Sequence, residues 1–364
     1  MKTKKLHLFE YNCISYFLIR CAFVGICLNN LLIISKQDSW LSVILAFILG
    51  FIPLSIFYLI ISHNPKENVT DFIKNSLGNV LGTIVNIGII VFVFIFTSLL
   101  LWNLINFIGS QYLYKTPNLA ISITFALAIY YITSKSINVI GRCSIILFYI
   151  SAFLFIFSGL GLMFNLDINN IKPTLEYGII PILNGSLNYI SYNVLPLFLI
   201  TIIPKNELND NNKKFIRNSI ITYFIATLSL FIVTFFLLSI YGIEYARILQ
   251  YPSYHILKRL SILGFIQRVE SIMSIQWILD LFVVIVMGSY FVKTSLRQTF
   301  NFKDYKLVSF GLVVLLVITT NYLFKNNTVG NKIIMNIFPF FNYLFFLIIP
   351  TIVLIFRKIK DKLS

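Results

Sequence analysis

The fold is decided by Gly178-Ile-Ile-Pro181-Ile-Leu-Asn184-Gly185-Ser186-Leu-Asn188-Tyr189-Ile-Ser191-Tyr192-Asn193-Val-Leu-Pro196. Two prolines bracket a centre of amide, hydroxyl and glycine residues within an otherwise apolar stretch. Unpaired backbone groups are costly in hydrocarbon, so a membrane span interrupts its helix only where it lines a protein-buried or water-filled cavity. The stretch therefore predicts a broken membrane helix beside a binding cavity. A continuous but kinked packing helix is the alternative.

The composition around this stretch is that of a membrane protein. Of the 364 residues, 58% are hydrophobic and 12% are charged, and the mean hydropathy is +0.86. In an ordinary soluble domain about 25% of the residues are charged. These values exclude a soluble globular protein, a disordered chain and a disulfide-stapled secreted scaffold.

Apolar runs long enough to cross the hydrocarbon core recur along the whole chain. We therefore expect an all-α integral membrane protein with one polytopic domain over residues 1–364. The first run is too long for a signal peptide and is interpreted as an uncleaved helix. The ten predicted spans lie near 11–35, 39–62, 82–108, 117–134, 143–164, 179–203, 217–241, 271–292, 306–324 and 333–357.

The formal net charge of +16 comes from 29 Lys and Arg residues against 13 Asp and Glu residues. In a soluble protein such an excess is typical of nucleic-acid binding, but here the basic residues lie in the short segments between apolar runs. When the ten spans are threaded through a bilayer, most of these residues fall on the side of the N-terminus. The positive-inside rule then places both termini in the cytoplasm, and we expect no nucleic-acid partner.

A broken sixth helix is expected at the start of the second half of a five-plus-five inverted repeat, which binds its substrate near the bilayer midplane. The matching element of the first half is the first span, where Gly25 and the pair Asn29-Asn30 interrupt the apolar run. We therefore predict ten transmembrane helices with breaks in helices 1 and 6. One glycine is a weak signal of unwinding, so an unbroken first helix remains an alternative.

Two charged residues, Arg20 and Asp280, lie inside predicted spans, where charges are rare and usually functional. Counted at about 1.5 Å per residue from opposite ends of their helices, the two fall near the same depth. We predict an ion pair between them across the ligand cavity. Alternatively, Arg20 extends to the membrane surface and Asp280 is a protonated, hydrogen-bonded core residue.

Helices 1, 3, 6 and 8 surround the substrate site in such a repeat, and each carries polar residues. These groups are suited to orienting a small zwitterion, although hydrogen bonding between helices is the commoner role for any one of them. The candidate ligand-binding residues are Arg20, Gly25, Trp102, Asn103, Asn106, Asn188, Tyr189, Ser191, Tyr192, Asn193, Gln276 and Asp280.

The sequence contains no recognisable catalytic or cofactor motif. Its three His and four Cys residues show no metal-ligand spacing, and no phosphate-binding glycine loop or nucleophile elbow is present. We therefore expect a protein that is not an enzyme and that binds neither a metal nor a cofactor. Two amphipathic segments outside the spans, 67–80 and 243–270, are predicted to lie on the inner and outer surfaces.

Particular strings in the chain resemble the spore-germination permeases, the B subunits of nutrient germinant receptors. The most specific are Tyr245-Ala-Arg-Ile-Leu-Gln-Tyr-Pro-Ser-Tyr-His-Ile-Leu-Lys-Arg-Leu260 and Phe265-Ile-Gln-Arg268-Val-Glu270-Ser-Ile-Met-Ser-Ile-Gln-Trp277. Supporting strings are Gln37-Asp38-Ser-Trp40, Thr116-Pro117, Val139-Ile-Gly141-Arg142 and Ile171-Lys-Pro173-Thr174-Leu-Glu176-Tyr-Gly178. Within these motifs the matching residues, Asp38, Trp40, Pro117, Gly141, Arg142, Pro252, Arg268, Glu270 and Trp277, are interpreted as mainly architectural.

This resemblance implies a fold related to amino acid, polyamine and organocation permeases and a location in the spore inner membrane. It also implies an A subunit and a lipoprotein C subunit as partners, and a nutrient, often an amino acid, as ligand. The chain departs from the family at the centre of the third helix, where Trp102, Asn103 and Asn106 are uncharged, and at Val284, where a lysine is frequent. We therefore predict a nutrient sensor of unknown specificity, with a proton-coupled amino-acid transporter as the alternative.

Overall fold

The computed structural model describes residues 5–208, 212–257, 270–302, 305–323 and 327–363. Within these ranges the chain is helical and forms no β-strand; an isolated parallel bridge joins Leu6 to Leu208. The first half of the chain forms α1 (Leu8–Arg20), α2 (Leu28–Ser35), α3 (Ser39–Leu49), α4 (Phe51–His63), α5 (Val69–Leu77), α6 (Asn79–Gln111), α7 (Asn118–Thr133) and α8 (Ile137–Leu162). The second half forms α9 (Ile179–Tyr189), α10 (Asn212–Ala246), α11 (Pro252–Leu257), α12 (Glu270–Phe300), α13 (Tyr305–Leu323), α14 (Asn327–Asn336), α15 (Phe338–Tyr343) and α16 (Ile349–Leu363).

Eight helical stretches in the described ranges are long and apolar enough to cross a membrane. One of them, Leu8–His63, runs from α1 through α4 and so contains the first two predicted spans. Helix α7, the fourth predicted span, has 16 residues and is shorter than these stretches. The predicted all-helical, multi-pass membrane architecture is therefore confirmed.

The first predicted span is interrupted at the predicted place. Helix α1 ends at Arg20, a π-helical turn occupies Phe23–Cys27, and α2 begins at Leu28. In this turn the Cys27 amide donates to the Ala22 carbonyl over 2.8 Å, five residues back instead of four. The interruption around Gly25 is thus a widened turn that keeps its backbone hydrogen bonds, whereas the sequence suggested an unwound segment.

The sixth predicted span changes helix type twice. It begins as α9, continues as a π-helical turn over Ile190–Val194 and ends as a 3-10 helix over Leu195–Ile202. Pro181 lies in the first turn of α9, where a missing amide hydrogen breaks no bond. Pro196 stands in the first turn of the 3-10 helix, so the second proline of the stretch marks the change in helix type.

The two interruptions face each other in the centre of the bundle. The Cys21 thiol lies 3.7 Å from the Tyr192 carbonyl oxygen, and the rings of Phe23 and Tyr189 meet edge to face at 5.9 Å. Cys21, Phe23, Tyr189 and Tyr192 are all buried. The irregular parts of both helices are therefore enclosed by protein, as polar backbone at membrane depth requires.

The tenth predicted span, 333–357, differs most from expectation. Helix α14 ends inside it at Asn336, α15 starts at Phe338 with Pro339 in its first turn, and a π-helical turn follows over Leu344–Ile348 before α16. Pro339 cannot donate to the preceding turn, which explains the break after α14. The prediction from apolar character alone therefore treated the end of α14 and the helices that follow it as one continuous span, although the backbone is interrupted between them.

The two segments predicted outside the spans contain helices. In α5 the residues Val69, Phe72 and Ile73 are buried on one face and the Asn68 side chain caps the first turn, as expected for the inner amphipathic segment. In the outer segment, Ile256 and Leu257 of α11 are buried. The remainder of that segment, with Leu260, Leu263 and Arg268, lies outside the described residues.

Candidate functional site

Arg20 and Asp280 form the predicted ion pair. The Arg20 Nε atom donates to Asp280 Oδ2 over 2.9 Å, and each side chain is 2% exposed. Ser151 of α8 donates to the other carboxylate oxygen over 2.9 Å, and Arg20 Nη1 donates to Ser229 of α10. The pair therefore joins α1 to α12 and is also hydrogen-bonded to two further helices.

Aromatic rings complete the surroundings of the guanidinium group. The rings of Tyr16 and Phe155 each lie 5.3 Å from the Arg20 guanidinium carbon, a distance at which cation and ring attract. Both oxygens of Asp280 already accept a hydrogen bond. The sequence predicted this pair on opposite sides of a ligand cavity. In the structure the two side chains contact each other directly, and other polar atoms of the pair bond to Ser151 and Ser229.

A second polar group lies at Gly25, in the interruption of the first span. Asn103 of α6 donates from Nδ2 to the Gly25 carbonyl over 3.3 Å. A Cβ atom at position 25 would lie 2.4 Å from Asn103 Oδ1 and 2.4 Å from the Trp277 ring, closer than real Cβ contacts allow. Glycine is required here because α6 and α12 approach the backbone of the turn too closely for any side chain.

Several buried polar atoms of α2, α6, α9 and α12 have no hydrogen-bond partner in the described part of the chain. They are both side-chain polar atoms of Asn30 and of Gln276, the Tyr189 hydroxyl, and Asn103 Oδ1 and Trp277 Nε1, whose side chains lie against Gly25. We refer to Asn30, Asn103, Tyr189, Gln276 and Trp277 as the polar cluster. All five side chains are buried. A buried group without a partner costs about 1–3 kcal/mol, so a cluster of them indicates a place built to receive hydrogen bonds from a ligand or water.

An aromatic layer covers the polar cluster on the side of α11. The ring of Phe107 lies 4.4 Å from that of Trp277 and 4.9 Å from that of Tyr251, and Tyr251 lies 5.8 Å from Trp277. Asn106 donates to the Tyr251 hydroxyl over 3.4 Å. The site is therefore closed at this end by rings from α6, α12 and the segment before α11.

Other predicted site residues lie elsewhere. Trp102 packs against Gly330 of α14, although Asn103 beside it faces Gly25. Ser191 accepts from Asn342 Nδ2 over 3.1 Å, and the Tyr192 hydroxyl donates to the Ile334 carbonyl. Ser191 and Tyr192 therefore connect the sixth span to the last helices, and Trp102 connects α6 to α14.

Asn188 and Asn193 remain close to the interruption of the sixth span. The Asn188 Oδ1 atom lies 4.0 Å from the Cys27 sulfur, and Asn193 donates to the Tyr189 carbonyl over 3.1 Å. The Asn193 Oδ1 atom has no partner in the described residues. Both amides therefore lie on the helix 6 side of the two interruptions.

Sequence reasoning missed several residues of the two polar groups. Trp277 was interpreted as architectural, but its ring lies directly against Gly25 and its indole nitrogen is unpaired. Asn30 was noted only as a helix interruption. Ser151 and Ser229 carried no signal, because serines within membrane helices most often bond their own helix backbone.

The chain matches the model of the spore permease family, described as "Spore germination protein", over residues 14–329. It is 24% identical over 288 residues to spore germination protein YndE of Bacillus subtilis (strain 168), covering 78% of this chain and 77% of that protein. It is 25% identical over 277 residues to spore germination protein A2 of the same organism, covering 73% of each.

Solved transporter structures share the fold at low sequence identity. A substrate-bound, outward-open Na+-coupled sialic acid symporter superposes with a TM-score of 0.63 at 11% identity, over 93% of this chain and 79% of that chain. A mutant of the Eremococcus coleocola manganese transporter superposes with a TM-score of 0.60 at 13% identity, over 95% of this chain and 78% of that chain. The fold is therefore that of a membrane transporter.

Proposed function

Because the chain belongs to the spore permease family of spore germination proteins, we propose that it is the permease-like subunit of a nutrient germinant receptor. It is a non-enzymatic sensor that binds a small nutrient, most simply an amino acid, at the polar cluster. Its partners are an A subunit and a lipoprotein C subunit. Its place is the spore inner membrane, with both termini in the cytoplasm.

The observation that carries this proposal is the set of unpaired polar atoms in the polar cluster, in which Asn103 and Trp277 lie against Gly25. The polar cluster offers uncharged donors and acceptors: three amides, a phenol and an indole. A zwitterion presents a carboxylate that accepts and an ammonium that donates, so one molecule pairs with both kinds of group. Hydrogen bonds to a charged ligand are each worth about 1.5–3 kcal/mol, so several of them offset part of the cost of separating the packed side chains.

The proposed architecture is one membrane domain over residues 1–364 with ten spans in a five-plus-five inverted repeat. The interruption in the first half is the turn at Gly25, and that of the second half is Ile190–Val194. Ligand bound between them contacts both halves at once. A ligand that fits one arrangement of the bundle better than another shifts their populations, and the partner subunits respond to that shift.

The alternative function is proton-coupled transport of an amino acid, which the likeness to transporter structures supports. It assigns the proton to Asp280. Both Asp280 oxygens already accept hydrogen bonds, from Arg20 and from Ser151, so a proton carried by Asp280 has to break or reverse one of them. Uptake of a radiolabelled amino acid into proteoliposomes distinguishes the two: flux driven by a pH gradient supports the transporter, and binding without flux supports the sensor.

The sensor is tested with spores that carry Asn103→Ala or Gln276→Ala at equal protein level. We expect the nutrient concentration that gives half-maximal germination to rise about tenfold, because one hydrogen bond to the ligand is lost. Asn321→Ala is the matched control, since Asn321 is an amide whose partners are Ser122 and the Val317 carbonyl. An unchanged concentration dependence for both cluster variants would remove the site assignment and leave the fold intact.

A further inference from the structure

A polar cavity of about 700 Å³ lies at the end of the bundle that carries Lys5. Its walls come from the chain before α1, the α7–α8 connection, the segment after the sixth span and the last turns of α12. Four cationic side chains, Lys5, Lys135, Lys293 and Arg297, line it against one carboxylate, Glu207. The wall therefore carries an excess of positive charge.

Lys293 is the unusual member of this set. It is 4% exposed, whereas Lys5, Lys135 and Arg297 are exposed. Its ammonium group donates to the Thr133 carbonyl at the end of α7 and lies 4.7 Å from the centre of the Tyr290 ring. Among the described residues no carboxylate forms an ion pair with it.

A buried ammonium without a counter-ion is costly unless an anion reaches it. One carbonyl uses one of its three hydrogens, and the ring face supplies a weak attraction. The cavity gives an anion a path to Lys293 between the exposed cations. We propose that this cavity, the basic cavity, binds a small polyvalent oxyanion of the phosphate class.

The basic cavity is distinct from the polar cluster. Gln276 and Lys293 are both on α12, and 17 residues of helix separate them by about 25 Å. The polar cluster is uncharged and closed, whereas the basic cavity is cationic and lined by the exposed Lys5, Lys135 and Arg297 around the buried Lys293. An oxyanion here is therefore a second ligand, supplied either free in solution or as the headgroup of an anionic lipid.

The test uses the full chain purified in a neutral detergent, with inorganic pyrophosphate as the probe and sodium chloride at matched ionic strength as the reference. We expect Arg297→Gln and Lys293→Gln to weaken pyrophosphate binding about tenfold each, because each removes one charged hydrogen-bond donor. Glu207→Gln should tighten binding because it removes the carboxylate from the wall. Lys358→Gln, which changes an exposed lysine outside the cavity, is the matched control and should leave binding unchanged.

Arg297 and Glu207 are exposed, so their variants test the site even if Lys293→Gln fails to fold. Nanodiscs distinguish the two sources of the oxyanion. If a lipid headgroup occupies the cavity, the wild type binds pyrophosphate more weakly in phosphatidic acid nanodiscs than in phosphatidylcholine nanodiscs, and Arg297→Gln abolishes this difference between the two lipids. If the natural ligand is a free anion, the wild type binds pyrophosphate equally in both. The proposal is overturned if the wild type binds no pyrophosphate beyond the chloride reference, or if Arg297→Gln, Glu207→Gln and Lys358→Gln all bind as the wild type does. In that case Lys293 serves only to cap α7.

Discussion

At the scale of single residues, Arg20 and Asp280 are each held by several partners from neighbouring helices. Charges inside a membrane must be paired, so the sequence alone was sufficient to predict that these two residues meet. It was not sufficient to predict Ser151 and Ser229, because nothing in the pattern of serines shows which of them face another helix. The sequence also predicted a ligand cavity between the two charges. In the structure the two charges contact each other directly, and Ser151 and Ser229 hydrogen-bond to the pair.

Removing one member of this pair leaves the other buried and charged. We expect Arg20→Gln or Asp280→Asn alone to destabilise the protein by about 3–5 kcal/mol, and the double variant to recover much of that loss. Thermal unfolding of the purified protein in detergent measures both effects. Arg247→Gln is the control, because the Arg247–Glu244 pair is exposed and should change stability by less than about 1 kcal/mol. A double variant less stable than either single variant would show that the two charges are not coupled in this way.

At the scale of elements, the sixth span shows what a proline pattern determines. Pro196 located the interruption correctly, because it has no amide hydrogen with which to continue α9, whereas Pro181 lies in the first turn and breaks no bond. The pattern did not specify a π-helical turn, since the type of turn depends on the packing of the first span against it. Pro339 carried the same signal in the last span, where the continuous apolar run obscured it.

Pro196 has no amide hydrogen to donate to the Tyr192 carbonyl, and the Cys21 thiol lies against that carbonyl. Pro196→Ala restores the missing amide hydrogen, so we expect α9 to continue through residues 190–196. Hydrogen exchange measured by mass spectrometry should then show slower exchange in this segment. Pro181→Ala is the matched control, because Pro181 lies in the first turn of α9 and its variant should exchange as the wild type does. Equal exchange in both variants would mean that packing, and not the proline, sets the interruption.

At the scale of the whole molecule, the distribution of charge and the closure of the polar cluster were predictable to different degrees. Basic segments at one end of the bundle follow from the sequence because each connection carries its own lysines and arginines. Whether the bundle is open or closed at Trp277 does not, because that depends on how α6, α12 and the segment before α11 pack together. Sequence reasoning therefore found the polar site residues that interrupt an apolar run, such as Asn103 and Gln276. It missed Trp277, an aromatic residue whose role depends on packing.

The proposed orientation is testable with single added cysteines. Lys115 and Lys358 are exposed in segments assigned to opposite sides. Cys13, Cys21 and Cys27 are buried, and the partly exposed Cys143 is replaced by serine in the background protein. An impermeant maleimide should label Lys115→Cys in intact protoplasts and Lys358→Cys only after permeabilisation. The reverse pattern would invert the topology, and labelling of both in intact cells would place them on the same side.

The buried ion pair also has a consequence for temperature. Hydration of charged groups becomes less favourable on heating, so the penalty for burying Arg20 and Asp280 falls as temperature rises, while the gain from apolar burial levels off. The ion pair between α1 and α12 therefore costs less to keep buried as the temperature rises. On warming, we expect the lipid-facing helices to loosen first, with these two helices still joined.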